Sequence, residues 1–222
     1  QFSPVLHIEA HGSEIGLEGP NGAGGSEWLI WSELTPFLQK LNLATRCNLV
    51  VVVAACIGFA AIQALISGPR APAIALVGPD ANVNDSDLLR GTKEFYRRWQ
   101  DPNPGLTEIA ESASLEMGVK FEIEPFALLA YEVQVAHLIR SRRPSEQTAQ
   151  KDRIRKRLLA ETHLSAVEVE ARFRTMPTML TWRDWQQIWD EMFMIDLFPE
   201  NRERFGVDWK SISIQLPAGV KR

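Results

Sequence analysis

The chain reads as an α/β protein with a largely parallel sheet, and three apolar runs say so. Leu49 to Ala55 is a short, mostly β-branched run, Pro72 to Gly78 is a second apolar run, and Pro4 to Ala10 is a third. Short runs of this kind fit buried strands, although His7 and Glu9 interrupt the Pro4 to Ala10 run. Segments of helix-forming residues lie between them, so strand and helix alternate through the first 115 residues. Ligands of such sheets gather outside the carboxyl ends of the strands. The length of 222 residues and the apolar content of 45% suffice for a sizeable core and exclude disorder, collagen-like repeats and a disulfide scaffold. With 24 basic against 28 acidic residues the formal charge is −4, which gives no global attraction for nucleic acid.

Taken in order, Pro4 to Ala10 is the first strand, and the Gly-rich stretch Gly19 to Gly25 is an exposed loop between the ends of a hairpin. Glu27 to Trp31 is a small strand. Ser32 or Thr35 caps the next helix, with Pro36 in its first turn and Phe37, Leu38 and Leu41 as its apolar stripe. Leu49 to Ile66 has the length of a membrane span, since only Gly58 and Gln63 among its eighteen residues are not apolar. Its residue types change at Gly58, however, from β-branched to helix-forming. That predicts a strand, a tight turn and a helix over Phe59 to Ile66 in place of one continuous span. After the strand Pro72 to Gly78 come a polar loop, Pro79 to Asp85, and a helix from Ser86 to Gln100.

Beyond the breaker segment Asp101 to Gly105 the character turns helical. Leu106 to Met117, Phe126 to Ser141 and Lys151 to Met176 read as helices, the last two separated by the polar segment Arg142 to Gln150. Thr181 to Phe193 is a Trp-rich amphipathic helix whose Trp182, Trp185 and Trp189 share one face, as expected for aromatics buried against a core or a partner. The basic run Lys151 to Arg157 fits a solvated helix face. There is no internal repeat, and residues 1–115 are expected to form one domain and 116–222 a helical C-terminal extension. Because the chain opens at Gln1 without a basic-then-apolar leader, it is expected to lack a secretory signal and to be a piece of a longer protein.

The chemistry gathers at two strand ends. His11-Gly12 follows the strand ending at Ala10, and Cys56 follows the strand ending at Ala55. If those strands are parallel neighbours, imidazole and thiol emerge at the same edge of the sheet. A His that takes the thiol proton, or stabilises the thiolate as imidazolium, makes the sulfur a nucleophile for a carbonyl carbon. The backbone N–H groups of Gly12 and Cys56 suit the oxyanion that forms, and a glycine beside it leaves the scissile carbonyl room to approach. His7 and Glu9 share the strand face of His11, where His7 is expected to support the site through a buried hydrogen bond. Cys47, ahead of its strand, is a bystander. Asp80, Asp85 and Asp87 sit on the loop after the third strand, where turn and cap roles compete with a pocket for a basic side chain.

Strand-His-Gly followed by strand-Ala-Cys resembles the caspase-like cysteine peptidases, whose His stands about fifty residues ahead of the nucleophile. Leu6-His7-Ile8-Glu9-Ala10-His11-Gly12, with Val77 to Asp80 through Asp87 and then Phe95-Tyr96, is most similar to the bacterial CHAT domains, over residues 4 to 115. The family implies a caspase-like sheet with one or two strand-helix units ahead of the His strand. Only three residues precede Pro4, so those units are expected to be lost, in a missing segment or on another chain. Two positions depart from relatives in the group. Ala54 stands where caspases have Gln and metacaspases usually Asp, and Ile57 where caspases have Arg or Gln, so neither specificity carries over.

The resemblance implies a cysteine endopeptidase with His11 and Cys56 as its dyad and Gly12 and Cys56 amides as oxyanion donors; from their place on the loop after a strand, Asp80 and Asp85 are the expected substrate contacts. No metal or organic cofactor is expected. A protein substrate, a regulatory partner or missing N-terminal segment, a cytoplasmic location, and no nucleic acid or membrane contact complete the expectation. The alternative is an inactive caspase-like scaffold. A nucleotide-binding module is weaker, because the Gly22 to Gly25 stretch leads into a strand and no phosphate-loop Lys pattern follows one.

Overall fold

A strand that is apolar on both faces needs cover on both sides, and the main sheet is built around such a strand. The computed structural model describes residues 4–62, 69–101, 104–141, 152, 156 and 181–215. Its strands are β1 (Val5–Glu9), β2 (His11–Gly12), β3 (Gly16–Pro20), β4 (Ser26–Ile30), β5 (Val50–Ala54), β6 (Ala75–Pro79) and β7 (Phe121–Pro125). Its helices are α1 (Trp31–Ala44), α2 (Asp85–Trp99), α3 (Leu106–Met117), α4 (Phe126–Ser141), α5 (Trp182–Met192), α6 (Arg202–Phe205) and α7 (Trp209–Gln215), with 3₁₀ turns at Gly58–Ala61 and Pro199–Asn201. One sheet has the order β1-β5-β6-β7, its first two pairings parallel and its last antiparallel. A second, antiparallel sheet has the order β2-β3-β4. The protein is thus α/β, with a mostly parallel mixed sheet flanked by helices.

By contacts the chain divides into two compact units, Gln1–Ala130 with Glu191–Phe205, and Tyr131–Asp190 with Gly206–Arg222. In the first, every residue of β5 is buried. Its alternation sends Val50 and Val52 into a cluster with Val77, Phe95, Ile109, Ala113, Met117 and Phe121. Val51 and Val53 line a small gap on the other face with Trp31, Leu34 and Leu38 of α1. Each Val so buried contributes about 1.5–3 kcal/mol, which explains why this strand is the sheet's fixed centre. The segment Glu191–Phe205 is tied to the same unit by Arg70, which meets Asp196 at 2.8 Å, and by the Ala71 amide, which donates to Met192 O at 2.8 Å.

Several local expectations are corrected. Helix α1 begins at Trp31, so Trp31 is helical, Ile30 is the N-cap, and Glu33 accepts the Ile30 N–H at 3.3 Å. Pro36 therefore lies in the second turn. Of the proposed stripe only Leu38 is buried, whereas Phe37 is 62% and Leu41 44% exposed. The inward face is Trp31, Thr35, Leu38 and Asn42, because Asn42 is held inside by donating to Ala71 O (2.8 Å) and accepting from Leu49 N (3.0 Å). Helix α2 starts one residue early, capped by Asn84, whose Oδ1 accepts the Asp87 N–H at 2.9 Å. Strand β7 has no counterpart in the sequence reading; it pairs antiparallel along β6 from Ala75↔Pro125 to Pro79↔Phe121. After Gly58 the chain enters a 3₁₀ turn, and the expected helix beyond Ile62 lies outside the described residues.

In the second unit the Trp-rich helix is present as α5. Trp185 and Trp189 are buried, and both rings meet that of the fully buried Trp209, at 6.1 and 5.7 Å between centroids. Tyr131 packs on Trp209 at 5.9 Å. The expected helix Lys151 to Met176 and its basic run fall outside the described residues except for Asp152 and Lys156, which are helical. Among the described residues no helix is long and apolar enough to cross a membrane.

Phe95 is fully buried and meets Phe121 edge-on at 5.6 Å. Urea unfolding of Phe95→Ala is expected to show a loss of about 3–5 kcal/mol. Phe37→Ala, on the exposed face of α1, should change stability by less than about 0.5 kcal/mol.

Candidate active site

The β1–β5 pairing decides where the reactive side chains fall. The two strands are parallel and in register from Val5↔Val50 to Glu9↔Ala54. His11 and Cys56 each come two residues after that last pair, so both lie at the carboxyl end of the sheet. Alternation along β1 leaves His7 and Glu9 exposed and Ile8 half-buried. His7, Glu9 and His11 accordingly line one cleft of about 700 Å³, together with Ala54 of β5, Glu18 of β3 and Asp85 and Tyr96 of α2. His11 is itself exposed and pairs with Glu18 in the small antiparallel sheet.

Gly12 explains how closely the two strand ends approach. A β-carbon there would sit 2.4 Å from Cys56 O, 2.8 Å from the Ala55 β-carbon and 3.3 Å from Cys56 N. The reason for glycine is thus the neighbouring backbone, in addition to any room it leaves for a substrate. Past Cys56 the chain turns sharply. Ile57 is left-handed, at φ 52° and ψ 29°, a conformation that costs a β-branched residue about 1–3 kcal/mol. Its N–H donates to Ala81 O at 3.0 Å, and Gly58 N donates to Ala55 O at 3.0 Å. Gly58 lies against β5, where a β-carbon would fall 2.4 Å from Val53 O.

The two cysteines differ sharply. Cys47 is fully buried, burial pushes its thiol up to about 11, and Asn42 Nδ2 meets its sulfur at 3.7 Å. Cys56 is half-buried, and its thiol donates to Val83 O at 3.3 Å. The cleft that His11 lines does not include Cys56 among its lining residues.

The remaining candidates separate. Asp85 lines the cleft, whereas Asp80, exposed at the end of β6, does not. The Asp80 N–H donates to Lys120 O at 3.1 Å. Asp87 belongs to the first turn of α2 and pairs with Arg90. His7 does make a hydrogen bond, its Nδ1 lying 2.8 Å from Tyr96 Oη, but the ring is exposed where a buried one was expected. Burial raises the Tyr96 phenol above its ordinary value. The sequence reading missed Glu18 as a cleft residue; its place depends on the antiparallel return of β3, which the Gly19 to Gly25 loop signalled without giving the register. Among the described residues no group of three His, Cys, Asp or Glu side chains is placed to hold a metal ion. No known family model matches the chain, and no curated protein matches it either.

Gly12→Ala drives a β-carbon into Cys56 O, so one strand end must shift. The expected cost is about 1–3 kcal/mol by thermal unfolding. A melting temperature equal to that of the parent would contradict the close approach.

Proposed function

We propose that the chain is a cysteine endopeptidase of the caspase-like group, of the CHAT type, cleaving a protein substrate through a His11–Cys56 dyad. One observation carries this reading: the in-register parallel pairing of β1 with β5, which sets His11 and Cys56 two residues past Glu9↔Ala54. In the proposed reaction His11 takes the thiol proton and the Cys56 sulfur attacks the scissile carbonyl carbon. The Gly12 and Cys56 amides hold the oxyanion. His11 then protonates the departing amine as the C–N bond breaks, leaving a thioester. Water, deprotonated by His11, adds to the thioester and releases the acid and the free thiol. The reading calls for no metal or organic cofactor and for a reducing compartment such as the cytoplasm, where both thiols stay free.

The acyl-side residue of the substrate is assigned to the cleft. Ala54 leaves it roomy, and its charged lining residues are Glu9, Glu18 and Asp85, with no Lys or Arg among them. That lining suits a long cationic side chain, with Asp85 as one partner; Asp80 takes no part. Strand β1 is an edge strand among the described residues, so its free edge is where an N-terminal unit or a regulatory partner would add. A second reading, an inactive scaffold of the same fold, draws on the Cys56 thiol being held by Val83 O outside the cleft lining.

Hydrolysis of a peptide library, read by mass spectrometry, decides between the two. Cys56→Ala should abolish cleavage and His11→Ala lower it by about 10²–10⁴-fold; equal turnover in the parent and both variants would sink the peptidase reading. Asp85→Asn should reduce kcat/KM about fivefold for substrates with Arg or Lys on the acyl side, in keeping with the ~1 kcal/mol of an exposed ion pair. An equal fall for substrates with a neutral residue there would remove Asp85 from recognition.

A further inference from the structure

The segment after β6 touches the proposed nucleophile and the residue that follows it. Its Ala81 and Val83 are half-buried while Asp80, Asn82 and Asn84 are exposed, so alternate residues face inward. Ala81 O accepts the Ile57 N–H at 3.0 Å and Val83 O accepts the Cys56 thiol at 3.3 Å. The segment is anchored on three sides. At its start the Asp80 N–H donates to Lys120 O at 3.1 Å. In its middle the Val83 side chain packs against the cluster of Val50, Val77 and Phe95. At its end Asn84 Oδ1 accepts from Asp87 N (2.9 Å) and Ser86 Oγ (2.8 Å).

A carbonyl oxygen binds the thiol form of cysteine, which has a hydrogen to donate, and offers nothing to a thiolate, which has none. The sulfur so held is absent from the lining of the cleft that contains His11. We propose that residues 80–84 form an autoinhibitory strap, in which the Val83 carbonyl ties down the Cys56 thiol by the 3.3 Å hydrogen bond, and that lifting the strap frees the nucleophile. The inference rests on the reading of Cys56 as that nucleophile. It adds that the described conformation is the restrained one. The Ala81 contact belongs to the same device, since it holds Ile57 in its left-handed conformation beside the sulfur.

Alkylation by iodoacetamide measures the strap without needing a substrate. The thiolate sulfur displaces iodide, a carbon–sulfur bond replaces the carbon–iodine bond, and the thiol proton goes to solvent. Rates at Cys56 are followed at pH 7.4 by peptide mapping; Cys47, with its thiol at about 11 and no exposure, serves as the internal control for unfolding. Val83→Gly removes the anchoring side chain and Asn84→Ala the cap acceptor. In protein whose Cys47 stays unlabelled, each variant is expected to alkylate Cys56 about tenfold faster than the parent, the upper range for loss of one hydrogen bond. The same acceleration is expected when each is combined with His11→Ala, because release does not depend on the imidazole. Rates within twofold of the parent in both folded variants would overturn the strap. Acceleration in the two strap variants while neither, with His11 intact, cleaves any peptide would sustain the strap and remove the peptidase reading. Cleavage with unaccelerated variants would do the reverse.

Discussion

The pairing of β1 with β5 is the constraint on which the rest depends. Both strands run the same way and share register over five residue pairs, so whatever follows them is delivered to one end of the sheet. That outcome would change with a slip of one residue, which would reverse the faces of His7, Glu9 and Ile8 together. The slip is opposed by β5, whose residues are buried on both faces and cannot exchange partners without exposing Val side chains. The hydrophobic core therefore sets the position of two polar groups that it does not touch.

Strain and close packing concentrate where the two strand ends approach each other. Gly12 lies so near Cys56 O that any side chain would collide, and Ile57 is held in a conformation disfavoured for its type. Such positions persist only when surrounding contacts over-determine them. Here the contacts are the Ala81 carbonyl on Ile57 and the Gly58 turn against Val53. The proposed reaction and the proposed strap use the same turn: one needs the Cys56 sulfur to face His11, the other holds it toward Val83.

How much was legible follows the physics of each element. Val50–Ala54 was readable because β-branched apolar residues without polar interruption have few other places to go. Helix α3, Leu106–Met117, was readable from its pattern and the Gly105 and Gly118 that flank it. Strand β7 was not, because Phe121-Glu122-Ile123-Glu124-Pro125 is short, charged at alternate positions, and owes its conformation to the β6 edge. The buried face of α1 was misjudged because hydrophobicity pointed to Phe37 and Leu41, whereas the hydrogen bonds of Asn42 to Ala71 and Leu49 turn that face inward. At the site, the common end of His11 and Cys56 was legible from strand order. The Val83 contact was not, since it joins residues 27 apart through a loop with no pattern of its own.

The central claim is that Cys56 and His11 share one reaction space reachable by a polypeptide. A peptidyl acyloxymethyl ketone ending in Arg, incubated with the protein to completion and mapped by mass spectrometry, tests it directly. The account predicts a single thioether adduct on Cys56 that is lost on His11→Ala. Folded protein that takes no adduct, or takes one with the same rate in the absence of His11, would contradict it.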